Sequence, residues 1–431
     1  NANPESQYMY LSTPSVADVS YTIKPVGQPQ SSYINGVVSN STPSEIYLGT
    51  GNGQLFVVSS QTSTITNKGY IIEAEDVIYV SVRMNAGNGA QAGALVSKSI
   101  SALGSQFRIG AYTNEAGRTI NNNGTFSENL LSFLSVMATE DNTTITLSDI
   151  SNNTEVENFS GSFPLSRVLN KGESYIVAMN SYSTTFPTNN KDGLIGALVE
   201  SDKDIVVNCG SANGSFHNGN GRDYGIDQIV DVSKTGKEYI FVKGNGNDNW
   251  ENILIVAHTN NTSISINGNA PITVINAGEY YVIDGGNYNT HGNMYVETSE
   301  DVFAYQGIGG LNNSGSPNEA NQGMFFVPPL SCEARGNIDN IAYIEDIGST
   351  TLLGGLSIVT KAGATVTINN LPISSFSTQG PFPVSGNLNY ETYKVTGLTG
   401  NISVQCNDEL YCAYFNYNGA ATSGSFYSGF P

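Results

Sequence analysis

Apolar and polar residues alternate along most of the chain, and one version of this alternation occurs four times. Each copy consists of an apolar strand, an acidic turn and a second apolar strand, in the segments GYIIEAEDVIYVSV, GALVESDKDIVVNCG, NMYVETSEDVFAYQG and ISVQCNDELYCAYF. The turn acids are Asp76, Asp204, Asp301 and Glu409. A pattern that is kept while the intervening loops vary in length is typical of a repeat architecture. We name each copy, with the strands that follow it, a type B unit.

A second alternating pattern lies between successive type B units, in SVMATEDNTTITL, LIVAHTNNTSISI and SIVTKAGATVTI. Alternation with a period of two, joined by Asn, Asp and Gly turns, predicts hairpins of half-buried strands. With the strand that follows, each of these type A units supplies roughly one four-stranded sheet. The stretch from VADVSYTIKP to VVSNSTPSEIYLG fits a degenerate fourth type A unit.

The alternation of A and B units predicts an all-β fold, a β-propeller of eight four-stranded blades built as four A/B repeats. The last type B unit lacks a fourth strand, and residues 5–13, ESQYMYLST, resemble the missing one. We therefore expect the N-terminal strand to close the ring. The competing interpretation is a string of tandem β-sandwiches of about 100 residues each. The predicted units of this single domain, residues 1–431, are 14–50, 68–113, 131–180, 193–243, 252–284, 292–345, 355–395, and 400–431 with 5–13.

Composition excludes several classes of partner. A formal net charge of −20 argues against nucleic acid and against anionic membrane surfaces, which attract basic proteins. No apolar run reaches the 18 residues that a membrane-spanning helix needs, so we expect no membrane insertion. Only 13% of the residues are charged, while Gly and Tyr are abundant, which suits an extracellular or outer-surface protein.

The search for catalytic and metal-binding motifs returns little. The chain has no zinc-protease, nucleophile-elbow or P-loop motif, so we predict that it is not an enzyme. Residues 244–252, with Asp248 and Glu251, form a weak candidate for Ca²⁺ without the spacing of an EF-hand loop, and no other cofactor is expected. Cys406 and Cys412 flank the last acidic turn, where a cross-strand disulfide or two half-buried thiols are the alternatives.

The loops between the second and third strands of the type B units are the predicted binding region. They span residues 84–93, 209–225, 306–323 and 416–424, and on a ring they would emerge on one face. Loops positioned by a rigid scaffold often carry function, although solvated connectors are the alternative. The candidate ligand-binding residues are Phe216, His217, Arg222, Asp223, Tyr224, Asn312, Asn313 and Asn318.

The phrases ALVESDKDIVVNCGS and SVMATEDNTTITL, and the order in which they alternate, resemble the domain named after the N-terminal region of the IgGFc-binding protein. The resemblance extends from about Tyr8 to the C-terminus, and such domains also occur in secreted proteins of Bacteroidota. It implies an extracellular recognition or cell-adhesion module; bacterial relatives are often type IX secretion substrates, some tied to gliding motility. It transfers no role to any single residue.

Taken together, these features predict a secreted or cell-surface module that binds a glycan or a surface protein through loops on one face. Two other classes of function stay open. One is a carbohydrate-active enzyme with a carboxylate pair in a central pocket, because 37 acidic residues are present. The other is a structural subunit of a surface complex, which a broad exposed apolar patch would favour.

Overall fold

The computed structural model describes residues 5–87, 89–114, 131–151, 153–179, 190–216, 222–310, 321–331, 338–419 and 421–430. This part of the chain forms strands and one-turn 3₁₀ helices, with no α-helix, so the prediction of an all-β fold is confirmed. The 3₁₀ helices are Gln30–Ser32, Ser59–Gln61, Ser99–Ala102, Val232–Lys234, Asp248–Trp250, Gly285–Asn287 and Ile373–Ser375.

The strands fall into four sequential repeats. The first repeat and the strand after it comprise β1 (Ser6–Ser12), β2 (Val19–Pro25), β3 (Ile34–Val38), β4 (Ser44–Gly49), β5 (Ile65–Thr66), β6 (Tyr70–Ala74), β7 (Tyr79–Ala86), β8 (Gln91–Val96) and β9 (Gly104–Arg108). The second repeat and the strand after it comprise β10 (Ser132–Ala138), β11 (Thr143–Ser148), β12 (Leu165–Leu169), β13 (Ser174–Ala178), β14 (Leu198–Gly214), β15 (Asp223–Ile229) and β16 (Gly236–Val242).

The third repeat and the strands after it comprise β17 (Ile253–Ala257), β18 (Thr262–Ile266), β19 (Thr273–Ile275), β20 (Tyr280–Ile283), β21 (Asn293–Gly309), β22 (Gln322–Phe326), β23 (Ile338–Ile341), β24 (Asp346–Ile347) and β25 (Thr350–Thr351). The fourth comprises β26 (Leu353–Lys361), β27 (Val366–Ile368), β28 (Leu371–Pro372), β29 (Ser377–Pro383), β30 (Tyr390–Leu398), β31 (Ile402–Cys406), β32 (Leu410–Asn418) and β33 (Ala421–Phe426).

Each repeat contains an inner and an outer sheet. In the second repeat the inner sheet has the order β13-β10-β14-β15 and the outer sheet the order β12-β11-β14-β9. The 17-residue strand β14 belongs to both, because Leu198–Ser201 pair in the outer sheet and the residues from Ile205 onward pair in the inner one. The other inner sheets are β4-β1-β7-β8, β20-β17-β21-β22 and β29-β30-β26-β32-β33.

The acidic turns are therefore crossings between sheets, which corrects the expectation of hairpins. Asp204 and Asp301 lie inside the continuous strands β14 and β21, while Asp76 and Glu409 lie between strands that pair with different sheets. The two arms of each predicted hairpin do not pair with each other. Type A and type B strands consequently interleave in the same two sheets, and they cannot form separate blades.

The four inner sheets surround one axis in a propeller-like arrangement, so the prediction of eight blades is wrong. The innermost strands β8, β15, β22 and β33 lie side by side around this axis, each next to two of the others. The prediction that the N-terminal strand closes the last sheet is also wrong. Strand β1 pairs with β4 and β7 of its own repeat, because its buried residues Met9 and Leu11 fill the core there.

Glycine lets the innermost strands approach their neighbours closely. A Cβ atom on Gly93 of β8 would lie 2.5 Å from the Cβ of Tyr224, and one on Gly225 of β15 would lie 2.4 Å from the Tyr112 ring. Strand β8 also contributes Ala94 and Val96 to the core of the fourth repeat. The repeats are thus interlocked around the axis rather than packed as independent domains.

A buried ion pair lies beside the axis at the end where the innermost strands finish. Lys98 Nζ is 2.5 Å from Asp227 Oδ1, and both side chains are 1% exposed. The Asp227 carboxylate also accepts hydrogen bonds from the Phe326 N–H and the Ser425 hydroxyl. One carboxylate therefore joins β15, β22, β33 and the segment after β8.

Candidate functional site

The innermost strands all begin at one end of the axis, where the chain enters each of them from a loop. The described residues of these loops are 87, 89–90, 215–216, 222, 310, 321 and 419, and we call them the axial loop face. Hydrogen bonds connect this face across neighbouring strands: Asn321 Nδ2 donates to the Ala90 carbonyl at 2.6 Å, and Gln91 Nε2 at the start of β8 donates to the Arg222 carbonyl at 3.0 Å. The described ends of the loops that the sequence selected therefore lie at the same end of the ring.

Asp223 lies beneath this face as a structural residue. It is fully buried, and its carboxylate accepts the backbone N–H groups of Ala92 at 2.6 Å, Thr422 at 3.0 Å and Tyr224 at 3.0 Å. Burial raises the pKa of this carboxyl well above its usual range, and the three N–H donors oppose that shift. Asp223 therefore connects three innermost strands and does not face solvent, contrary to the expectation of a direct ligand contact.

The other predicted site residues separate into buried and outward-facing groups. Phe216 is buried with its ring edge against Tyr112, at 5.1 Å between ring centroids, so it supports the loop from inside. Arg222 is only half-buried at the loop surface, and burial lowers the pKa of its guanidinium. His217, Asn312, Asn313 and Asn318 lie outside the described residues. A role in binding for these residues stays a prediction.

A cavity of about 150 Å³ lies beside the axial loop face, between the first and second repeats. Tyr224 lines it, as do Ala212 of β14 and Phe56 of the segment that follows β4. We call it the inter-repeat cavity, and its further apolar lining is Leu55, Val57, Met84, Leu95, Leu131, Phe133, Ile176, Ala178 and Ile226. An apolar cavity of about this size is able to hold a ring such as benzene.

Asn208 is one of the few polar residues in the wall of this cavity. Its Oδ1 atom is buried away from the cavity and accepts no hydrogen bond from the residues that the structure describes. The accessible wall is therefore mostly apolar, and the cavity is suited to an apolar or aromatic group.

A second cavity, of about 290 Å³, lies between the third and fourth repeats and is more polar. The His291 ring stacks on Phe382 with 4.8 Å between centroids, and Lys394 forms part of the wall. Lys394 Nζ donates to the carbonyls of Lys243 and Gly244 at 3.1 and 2.6 Å. Neither of the two cavities is lined by Asp or Glu, so neither provides the carboxylate pair that a glycosidase requires.

The two candidate metal ligands do not converge. Asp248 pairs with Lys243 at 2.5 Å, whereas the buried carboxylate of Glu251 accepts the N–H groups of Gly244, Gly246 and Gly309. Burial raises the pKa of Glu251 to about 7. Within the described ranges, no group of three or more His, Cys, Asp or Glu side chains is placed to hold a metal ion.

The disulfide alternative for the last acidic turn is not realised. Cys406 and Cys412 are both buried and free. Cys406 belongs to β31 of the outer sheet and contacts the Thr360 hydroxyl at 3.1 Å, while Cys412 belongs to β32 of the inner sheet and pairs with Ile358. Because the chain crosses from one sheet to the other between them, the two cysteines do not form a cross-strand pair.

The sequence did not reveal the inter-repeat cavity. Its walls come from β7, β8, β10, β13, β14 and β15, from Leu131, and from residues 52–62, which show no strand alternation. A signal was present in the run from Leu55 to Val58, four consecutive apolar residues in a Gly- and Ser-rich stretch. Such a run outside a strand indicates packing against another part of the molecule.

The fold is that of a propeller-like, all-β protein. The chain belongs to the IgGFc binding protein family, whose model matches residues 92–416, from β8 to β32. This is a family of binding proteins and is not known as an enzyme family. No curated protein and no solved structure matches the chain. Among the described residues, no helix is long and apolar enough to cross a membrane.

Proposed function

We propose that this chain is an extracellular, non-enzymatic recognition module that binds a protein partner at the axial loop face. One apolar or aromatic side chain of the partner occupies the inter-repeat cavity, and polar groups of the loops surround it. The observation that carries this proposal is the position of the cavity, because Tyr224 lines it and lies two residues after Arg222 of the axial loop face.

Protein interfaces gain most of their binding free energy from a few side chains inserted in desolvated pockets, while polar contacts around them exclude water. The inter-repeat cavity provides such a pocket for one apolar or aromatic side chain. Membership in a family named for binding the Fc region of immunoglobulin G supports a protein as the partner class. Immunoglobulin itself is one probe among several.

Glycan binding is a second candidate function, which the more polar cavity favours. The stacked rings of His291 and Phe382 offer an aromatic surface, and the Lys243 and Lys394 side chains supply donors near it. Aromatic stacking combined with hydrogen-bond donors suits a sugar ring. The two candidate functions can be tested separately by substitutions, because the two cavities lie between different pairs of repeats.

Binding to an array of immunoglobulins, mucins, bacterial surface proteins and glycans tests both candidates, with Ca²⁺ and with chelator. Ala212→Met fills the inter-repeat cavity, and Ala270→Met, in an exposed turn after β18, is the matched control. We expect protein binding to fall at least tenfold with Ala212→Met, to be unchanged with Ala270→Met and to be equal in both ion conditions. Binding that Ala212→Met leaves intact would contradict the proposed site.

Location and export are part of this proposal. The low content of charged residues and the family membership support an extracellular position. Export through the type IX route of Bacteroidota, attachment and gliding motility stay predictions. Protease accessibility of the chain on intact cells tests the location, because a cell-surface protein is digested while internal proteins are spared.

A further inference from the structure

The outer sheet of the first repeat has one strand fewer than the other three. Strand β9 completes the outer sheet of the second repeat, β16 that of the third and β23 that of the fourth. The first repeat has the order β3-β2-β6, and within the described residues no strand pairs with β6 on the side away from β2. Unpaired strand edges are sites for the addition of further strands.

The hydrogen-bond ladder shows which groups this edge presents. The Val26 N–H donates to the Gly69 carbonyl, and the Glu75 N–H donates to the Ser20 carbonyl. In an antiparallel pair, alternate residues point to the same neighbour, so the odd-numbered residues of β6 face β2. The N–H and C=O groups of Tyr70, Ile72 and Ala74 consequently point to the open side.

The exposure of side chains in β6 agrees with a missing neighbouring strand. In the other three repeats the strands equivalent to β6 are β14, β21 and β31, which pair with β9, β16 and β23. Their central apolar residues, Val199, Val296 and Val404, are fully buried. In β6, by contrast, Ile71 and Ile72 are only half-buried, and the neighbouring Val16 and Val77 are 82% and 60% exposed. In two of the three completing strands a buried aromatic residue lies at this position: Phe107 is opposite Val199, and Tyr239 is opposite Val296. In the third, the buried Asp339 is opposite Val404.

The other repeats indicate where the occupant comes from. In each case the completing strand follows the innermost strand of the preceding repeat, through the connections 97–103, 230–235 and 327–337. By the same rule, the position beside β6 belongs to a strand that follows β33. Directly after β33, Tyr427 packs on Tyr79 at the start of β7, with 5.8 Å between ring centroids, and Phe430 then stacks on Phe326 beside the axis.

We propose that the open edge of β6 is a docking site for one extended strand that reaches it from the C-terminal side of β33. The strand runs antiparallel to β6, takes up the backbone groups of Tyr70, Ile72 and Ala74, and places an aromatic or aliphatic side chain beside Ile72, on the face of the sheet that packs on the core.

Extension of the chain tests this proposal. A copy of residues 232–242, which contain a short linker and β16, is attached after Pro431, and amide hydrogen exchange is measured along β6. The matched control carries the same extension with Ser in place of the copied Tyr239 and Phe241. A further variant, Ile72→Pro in the extended chain, removes an N–H that points away from β2, so it blocks docking without breaking the β2–β6 ladder.

We expect the extension to slow exchange at Tyr70, Ile72 and Ala74 by about tenfold or more. The Ser control should not slow it at these amides, and Ile72→Pro should not slow it at Tyr70 and Ala74, whose amides this variant keeps. Unchanged exchange, or equal protection by the Ser control, would overturn the proposal. The proposal would also be overturned if these amides were already protected in the chain of residues 1–431 without the extension. Protection that increases with protein concentration would overturn it as well, because a second copy would then occupy the edge. If the extended chain does not fold, a synthetic peptide of residues 232–242 is added to the chain of residues 1–431 instead. Hydrogen exchange in β6 that is not slowed at saturating peptide concentration would then contradict the proposal.

Discussion

The buried pair of Lys98 and Asp227 gives the sharpest test of how the repeats are held around the axis. Lys98→Met removes the ammonium group while keeping a long apolar side chain. The Asp227 carboxylate then stays in a site where both side chains are 1% exposed, without its counter-charge. Removing one partner of a buried ion pair typically destabilises a protein by about 3–5 kcal/mol.

The remaining contacts of Asp227 place the expected loss near the lower end of that range. The carboxylate keeps hydrogen bonds from the N–H groups of Phe326 and Gln228 and from the Ser425 hydroxyl. We therefore expect a loss of about 3 kcal/mol. A chain of this length changes its melting temperature by roughly 1 °C per kcal/mol, so calorimetry should show a decrease of about 3 °C.

The double variant Lys98→Met/Asp227→Asn separates the charge from packing effects, because it leaves no buried carboxylate. It should recover most of the lost stability, and Lys98→Met alone should be least harmful at low pH, since burial raises the pKa of Asp227. The control is Lys237→Met, whose pair with Glu300 is 3.4 Å long and about half exposed and should contribute at most about 0.5 kcal/mol. A melting temperature of Lys98→Met that equals the parent's, or a double variant less stable than the single one, would refute this reasoning.

Three further predictions concern single residues. Burial raises the pKa of Asp339 to about 7, so the folded state binds its proton more tightly than the unfolded state. Stability should therefore fall as pH rises from about 4 to 7, by up to roughly 4 kcal/mol, and Asp339→Asn should flatten the curve of melting temperature against pH. Gly93→Ala places a Cβ 2.5 Å from the Cβ of Tyr224 and should cost about 1–3 kcal/mol in urea unfolding; an unchanged midpoint would show that β8 moves freely. In the absence of reductant, a thiol reagent should modify Cys406 and Cys412 only after the protein has been denatured, because both thiols are buried and free. If neither residue reacts in the denatured protein, the two cysteines form a disulfide.

The fourfold repeat and most strands were predictable from alternation, because strands with one face in a core keep a period of two. The number of blades was not. Whether two consecutive apolar strands fold back on each other or continue into a second sheet depends on their partners, which lie far away in sequence. The single strand Leu198–Gly214 contains the residues that the pattern split into two arms of a hairpin.

For the candidate site too, features that depend on neighbours in the sequence were predictable, and features that depend on contacts between distant residues were not. The four loops were predictable because each follows the same strand of its repeat. The role of Asp223 was not, because its position in a Gly-rich loop with Arg222 and Tyr224 resembles a binding cluster. Its partners, Ala92 and Thr422, come from the first and last repeats, and only the closed ring brings them to its carboxylate.

The central claim is that recognition takes place at the axial loop face and the inter-repeat cavity. Hydrogen exchange of the chain with and without its captured partner tests this claim most directly. The account predicts protection in residues 52–62, 86–87, 89–92 and 211–216, which contain residues that line the cavity or belong to the described parts of the adjoining loops. Protection confined to the outer sheets, with these segments unchanged, would contradict it.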